Sequence, residues 1–315
     1  MTTLNHSIIV TSTTFSGNAL LREELNALNI PTTYNIDQKK LEGSELIDFL
    51  RKARADVVLV GREPFTAETF AACPWIRFMS LFGVGFDNLD LETMKKRNIG
   101  FGWTPGVNKR SVAEHVIGLA IGHFRNIIRC THEMKQGLWK KDGGRELSSL
   151  KVGIVGLGNT GSETALLLKA FGCTVSFRDI LDKSDVARAL GITPLSYEDL
   201  LRSSDIVSFH VPSTSLTKGM FGAKELTLVQ PHTMIINTSR GDVVDFEPVC
   251  KAASDGRLGG FATDVFVDEP FDTSSWGHVK NLYFTPHTAG TSREAQLALG
   301  RAAIRHIVEY LRNVI

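Results

Sequence analysis

The sequence predicts an α/β protein of two parallel-sheet domains. Two observations carry this. Short β-like runs alternate with helix-like segments twice along the chain, once over 7–103 and again from Lys151 onward. Alternation at this spacing builds parallel sheets covered on both faces. The length of 315 residues also exceeds one ordinary core and suits two.

In the first alternation, β-rich runs predict strands over 7–11, 32–35, 56–60, 76–81 and 99–102. Helices are expected over 17–28, 44–53, 66–72 and 90–97. Thr104-Pro105-Gly106 then breaks the pattern. From Lys109 the apolar residues Val112, Val116, Leu119, Ile121, Phe124 and Ile128 recur at helical spacing, which predicts one long helix after a hinge-like loop. Residues 131–149 are polar, with Gly137, Gly143 and Gly144, and read as an extended connector. The second alternation predicts strands over 151–156, 174–178, 206–210, 233–237, 260–264 and 281–284, with helices over 161–171, 198–203 and 248–255. Ala295, Leu297, Ala302, Ile304, Ile307 and Leu311 mark a last helix over 292–312.

Composition limits the partners. There are 35 Lys plus Arg against 34 Asp plus Glu, a net charge of +1, so no global field favours nucleic acid or an anionic membrane. The scattered Cys73, Cys130, Cys173 and Cys250 have no metal-ligand spacing and read as reduced thiols; no metal is expected. The first twelve residues lack a basic region followed by an apolar core, and no apolar run approaches the ~20 residues that span a bilayer. The expected location is the cytoplasm.

The second alternation opens on Gly156-Leu157-Gly158-Asn159-Thr160-Gly161. This G-x-G-x-x-G follows an apolar strand and begins a helix. The first glycine allows a tight turn, the second lets a pyrophosphate approach the backbone, and the third lets helix and strand pack closely. The helix N-terminus adds unpaired N–H groups and partial positive charge. Asp179 stands 18 residues after Gly161, at the end of the next strand. An acid there accepts hydrogen bonds from ribose hydroxyls and repels a 2′-phosphate, which favours NAD over NADP, although Arg178 flanks it.

Three stretches downstream suit hydride transfer to a 2-oxo acid: NTSRGDVVD with Arg240, DVFVDEP with Glu269, and TPHTAG with His287. Each follows a predicted strand, and ligands of open α/β sheets bind outside the carboxyl ends of strands. An arginine holds a carboxylate through two parallel N–H···O bonds. A histidine transfers protons near neutral pH, and a neighbouring glutamate orients its ring. Taken singly, a solvated arginine or a structural histidine is the commoner case. Their order behind a dinucleotide motif is what points to chemistry.

The segments LFGVGFDNLDL, TPGVNKRSVAEH, VGIVGLGNTG, DIVSFHVPST, INTSRGDVV, DVFVDEP and TPHTAG resemble the D-isomer-specific 2-hydroxyacid dehydrogenases, in particular their phosphoglycerate dehydrogenase-like branch. The resemblance runs from about Gly61 to about Ala295. It implies two Rossmann-like or flavodoxin-like domains with a cleft between them. The substrate domain would be discontinuous, 1–103 plus 289–315, with an NAD-binding domain of 104–288 inserted. It also implies that Arg240 holds the substrate carboxylate, that His287 is the acid/base and that Glu269 is its partner. Val84, Gly85 and Asn108 would join the substrate site. Val211 and Pro212 would line the cofactor cleft, Thr238 would lie beside the nicotinamide ribose, and Asp264 would meet the nicotinamide carboxamide. A homodimer through the helix after Thr104 is implied as well.

The family leaves the acid open: 3-phosphoglycerate, glyoxylate, hydroxypyruvate, or phosphite as in related enzymes. Arg62, Lys109 and Arg110 are candidates for holding a phosphate. NAD(H)-sensing co-repressors of the same family keep the three catalytic residues, so a non-catalytic binding protein is the alternative. Thr160 and Phe246-Glu247-Pro248 depart from the family pattern. The sequence runs to Ile315, and the expectation is that the C-terminal regulatory module of some phosphoglycerate dehydrogenases is not part of it.

Overall fold

The computed structural model describes residues 6–314, so the first five residues of the stretch read for a leader lie outside it. In chain order the elements of the first alternation are β1 (Ile8–Val10), α1 (Thr13–Gly17), α2 (Ala19–Asn26), β2 (Thr32–Tyr34), α3 (Gly43–Ala53), β3 (Val57–Val60), α4 (Ala67–Ala72), β4 (Phe78–Leu81), α5 (Leu91–Lys96) and β5 (Gly100–Gly102). Next come α6 (Lys109–Phe124), α7 (Ile127–Lys135), β6 (Lys151–Val155), α8 (Asn159–Ala170), β7 (Thr174–Arg178), α9 (Ser184–Leu190), β8 (Thr193–Pro194), α10 (Tyr197–Ser203), β9 (Ile206–Phe209) and β10 (Met234–Asn237). The chain finishes with α11 (Phe246–Ser254), β11 (Gly260–Thr263), β12 (Leu282–Phe284) and α12 (Arg293–Val314).

These elements form two compact units. One comprises the residues up to Asn108 together with those from Arg293 on; the other is Lys109–Ser292. The division falls at 108/109 and 292/293, a few residues beyond the 103/104 and 288/289 drawn from sequence. Side chains explain the difference. Thr104 Oγ1 bonds His306 Nε2 of α12 at 2.8 Å, which keeps the 104–108 stretch with the first unit. Ser111 Oγ on α6 donates to Ala289 O and accepts from Ser292 N, at 2.6 and 3.2 Å, which keeps 289–292 with the second.

The first unit is a parallel five-stranded sheet, β2-β1-β3-β4-β5, the flavodoxin-like order. Strands β1, β3 and β4 are buried throughout because both faces are covered. Ile9, Val58, Val60 and Met79 pack with Leu46, Leu50, Phe70 and Met94 on one side. Ile8, Val10, Val57 and Leu59 pack with Phe15, Leu21, Leu25, Ala303 and Ile307 on the other. The helix expected over 17–28 is two helices. Asn18 has extended backbone, ends α1, and caps α2 by accepting from Leu21 N at 3.2 Å.

The second unit is a parallel seven-stranded sheet, β12-β11-β10-β9-β6-β7-β8. It is the Rossmann order with a seventh strand, and its order reverses beside β6. The fold class expected from the sequence is therefore the one observed, with differences in detail. The long helix expected through Ile128 breaks at Asn126, whose φ of +54° leaves the helical region, and α7 restarts beyond it. Part of the expected connector over 131–149 is therefore helix. Thr193–Pro194 and Ser184–Leu190 escaped the sequence reading because each is too short and polar to show a period.

Candidate active site and dinucleotide cradle

Strands β12, β11, β10, β9, β6 and β7 lie side by side in one sheet, and the predicted catalytic and cofactor residues follow their carboxyl ends. At the end of β6, Gly156 has φ +93°, and a Cβ there would stand 2.6 Å from His210 O and 2.8 Å from Val211 Cγ1. A Cβ on Gly161 would lie 2.0 Å from Gly156 O. Both glycines are thus required by the chain's own packing. Gly158 is different: a Cβ there meets nothing within 4 Å. It is also the N-cap of α8 and supplies no side-chain cap, so the helix's first N–H groups face an open surface. Asn159 is exposed and Thr160 half-buried at the same turn.

Asp179 reaches back to this turn. Its Oδ2 accepts from Leu157 N at 2.7 Å and its Oδ1 from Leu181 N at 2.9 Å. The carboxylate expected to take ribose hydroxyls also pins the glycine turn, and each oxygen keeps a further lone pair. After β9, His210 is desolvated and its pKa falls to about 4; its Nε2 bonds Ser208 Oγ at 2.9 Å. Val211 is half-buried and Pro212 exposed beyond it. After β10, Thr238 Oγ1 is buried without a partner, an orphaned hydroxyl where the cofactor's ribose was expected. An uncapped helix N-terminus, the open face at Gly158 and this orphan together fit a dinucleotide.

Two of the three catalytic candidates are in direct contact. His287 Nδ1 lies 2.9 and 2.8 Å from the two oxygens of Glu269. Glu269 Oε1 also accepts from Phe266 N at 3.1 Å, which fixes the carboxylate from its own loop. A carboxylate only accepts when ionised, so Nδ1 carries the hydrogen shared with Glu269. Arg240 comes to the same loop through its neighbour. A Cβ on Gly241 would be 2.1 Å from the Phe266 carbonyl carbon, so the two loops touch backbone to backbone. Asn237 Nδ2 donates to Arg240 O at 2.9 Å and holds that loop at the strand end. His287 itself has φ +55°. A left-handed non-glycine residue costs about 1 kcal/mol or more and persists only where its surroundings hold it.

Asp264, expected to meet the nicotinamide carboxamide, is also held by its own chain. It is 1 % exposed. It accepts from Thr285 Oγ1, Thr288 N and Ala289 N at 2.6, 2.8 and 2.9 Å. Thr285, and His115 bonded to it at 3.1 Å, were missed by the sequence reading. The only signal for them is that they sit inside the SVAEH and TPHT segments. In the first unit, Val84 O accepts from Trp103 Nε1 at 2.8 Å, Gly85 is exposed and Asn108 half-buried. The phosphate candidates Lys109 and Arg110 are both engaged by buried Glu163 of α8, at 3.1 and 2.8 Å.

Comparison with known proteins gives this site its family. The family model for the D-isomer specific 2-hydroxyacid dehydrogenase, NAD binding domain, matches residues 117–289. The chain belongs to the D-isomer-specific 2-hydroxyacid dehydrogenase family. It is 34% identical over 301 residues to D-3-phosphoglycerate dehydrogenase of Escherichia coli strain K12, covering 93% of this chain and 73% of that protein. It is 31% identical over 288 residues to glyoxylate reductase of Thermococcus litoralis, covering 89% and 87%. Among solved structures, D-lactate dehydrogenase from Aquifex aeolicus complexed with NAD and lactic acid shares the fold, with TM-score 0.85 at 24% identity over 98% and 96% of the two chains. The protein is an NAD-dependent oxidoreductase of this family. Among the described residues no helix is long and apolar enough to cross a membrane.

Proposed function

We propose that the protein reduces a small 2-oxo acid to the D-2-hydroxy acid, with His287 as proton donor and Arg240 as the carboxylate's partner. The observation that carries this is the Glu269–His287 pair, with both carboxylate oxygens within 2.9 Å of Nδ1. Bound NADH supplies the hydride. Arg240 orients the acid by two parallel hydrogen bonds. Val84, Gly85 and Asn108 are further proposed substrate contacts, on the family resemblance. In the reductive direction the His287 ring enters as imidazolium with Glu269 holding Nδ1–H; Nε2–H gives its proton to the forming alkoxide, which leaves the neutral ring with hydrogen on Nδ1. In oxidation the same nitrogen takes the proton back. Gly156, Gly158, Asn159, Thr160, Gly161, Asp179, Val211, Pro212, Thr238 and Asp264 are the proposed cofactor residues, with the second unit as the NAD-binding domain and the first as the substrate domain.

Lys109 and Arg110 are already paired with Glu163, which favours an unphosphorylated acid such as glyoxylate or hydroxypyruvate over a phosphorylated one. The family reading also makes the protein a cytoplasmic homodimer. Exposed Ile127, Met134, Leu138 and Trp139, on and just after α7, supply apolar surface for that contact. Steady-state oxidation of NADH and NADPH against glyoxylate, hydroxypyruvate, pyruvate and phosphohydroxypyruvate tests the function. Turnover with an unphosphorylated acid and NADH is expected. A phosphohydroxypyruvate preference would overturn the substrate class. Tight NADH binding with no turnover on any acid would turn the reading to an NAD(H)-sensing binding protein.

A further inference from the structure

We propose that His115, Thr285 and Asp264 form a relay that positions the His287 loop. This rests on the reading of His287 as the acid/base. Within five residues, 285–289, the loop sends three donors into one buried carboxylate: Thr285 Oγ1, Thr288 N and Ala289 N. Two of them are the amides that directly follow His287, whose backbone is left-handed. Asp264 thus captures the chain just past the residue whose conformation must be held.

Proton counting gives the relay one direction. A threonine hydroxyl has a single hydrogen, and Thr285 spends it on Asp264 Oδ1 at 2.6 Å. Toward His115 Nε2, 3.1 Å away, Thr285 Oγ1 therefore accepts. Nε2 of His115 must carry hydrogen, and the chain runs His115 to Thr285 to Asp264. Ser111 stands four residues earlier on α6, on the same helix face. It takes the far end of the loop through Ala289 O and Ser292 N. Helix α6 therefore grips the loop at both ends, and the relay links its register to the place of His287 Nε2. A misplacement of about 1 Å at a reacting group costs on the order of 100-fold in rate, so these are positioning residues.

Thr285→Val, which keeps shape and removes the hydroxyl, tests the relay, with Thr285→Ser as the conservative control. Thr285→Val is expected to lower kcat by roughly 10–100-fold, with the NADH Kd and the KM for the acid changed by less than about threefold. Thr285→Ser is expected to restore kcat. Amide hydrogen exchange at Thr288 and Ala289 in the cofactor-free protein is expected to speed up in the valine variant and return to the wild-type rate in the serine variant. If Thr285→Val fails to fold, His115→Leu, which removes the first donor and leaves Thr285 on Asp264, is read by the same two measurements. Unchanged exchange at Thr288 and Ala289 would overturn the proposal, as would an unchanged kcat in a wild-type background that turns over. A wild-type protein inactive on every acid would remove the acid/base reading, and the exchange rates would still decide the relay.

Discussion

Asp179 does two jobs with one carboxylate. One is proposed, to take the cofactor's ribose hydroxyls; the other is to hold Leu157 N and Leu181 N. Asp179→Ala is therefore expected to be more than a switch of cofactor. It should shift the NADH to NADPH affinity ratio toward NADPH. It should also weaken NADH itself by about tenfold, since a charge-assisted hydrogen bond contributes ~1.5 kcal/mol or more. Titrating both cofactors by fluorescence reads the two effects separately, and a clean switch with NADPH as tight as wild-type NADH would contradict the second job. Glu269→Gln is expected to lower turnover by at least about tenfold with little change in NADH affinity, because the amide no longer enforces one tautomer of His287. Equal kcat in the variant and the wild type would contradict the pairing.

The glycine turn separates a packing requirement from a binding one. Gly161→Ala forces a Cβ to 2.0 Å from Gly156 O, so it is expected to lower the thermal midpoint by several degrees. Gly158→Ala meets nothing within 4 Å. It is expected to keep wild-type stability while losing NADH affinity by about tenfold or more, because the methyl takes the place of the pyrophosphate's approach. Thermal melts and NADH titrations of the two variants read this, and equal behaviour would contradict it. Much of this element was legible in the sequence, because the strand, the three glycines and the acid have fixed spacing. The Glu269–His287 contact was legible for the same reason, each residue in a distinctive segment after a strand. What escaped depends on tertiary contact. The break at Asn126 needs only one left-handed residue inside an apolar period. The turn of Asp264 onto the His287 loop, and the pairing of Lys109 and Arg110 with Glu163, join residues far apart in sequence.

The molecule as a whole carries a pH response away from its chemistry. Burial holds the His123 pKa down at about 4, from an ordinary 6.5, against Tyr283 and Phe124. Between these values the unfolded chain binds a proton that the folded chain refuses, so stability falls as pH drops from 6.5 toward 4. The slope for one such group is at most about 1.4 kcal/mol per pH unit. Urea midpoints measured at pH 7.5 and pH 5 are expected to differ more for the wild type than for His123→Gln. Equal differences would contradict the assignment.

The most direct test is to compare NADH binding with NADH oxidation in His287→Ala, using the best acid from the substrate panel. The account predicts a NADH Kd near that of the wild type, because the cradle is untouched, and turnover reduced by roughly 100-fold or more, because the proton donor is gone. Turnover near that of the wild type in this variant would contradict it.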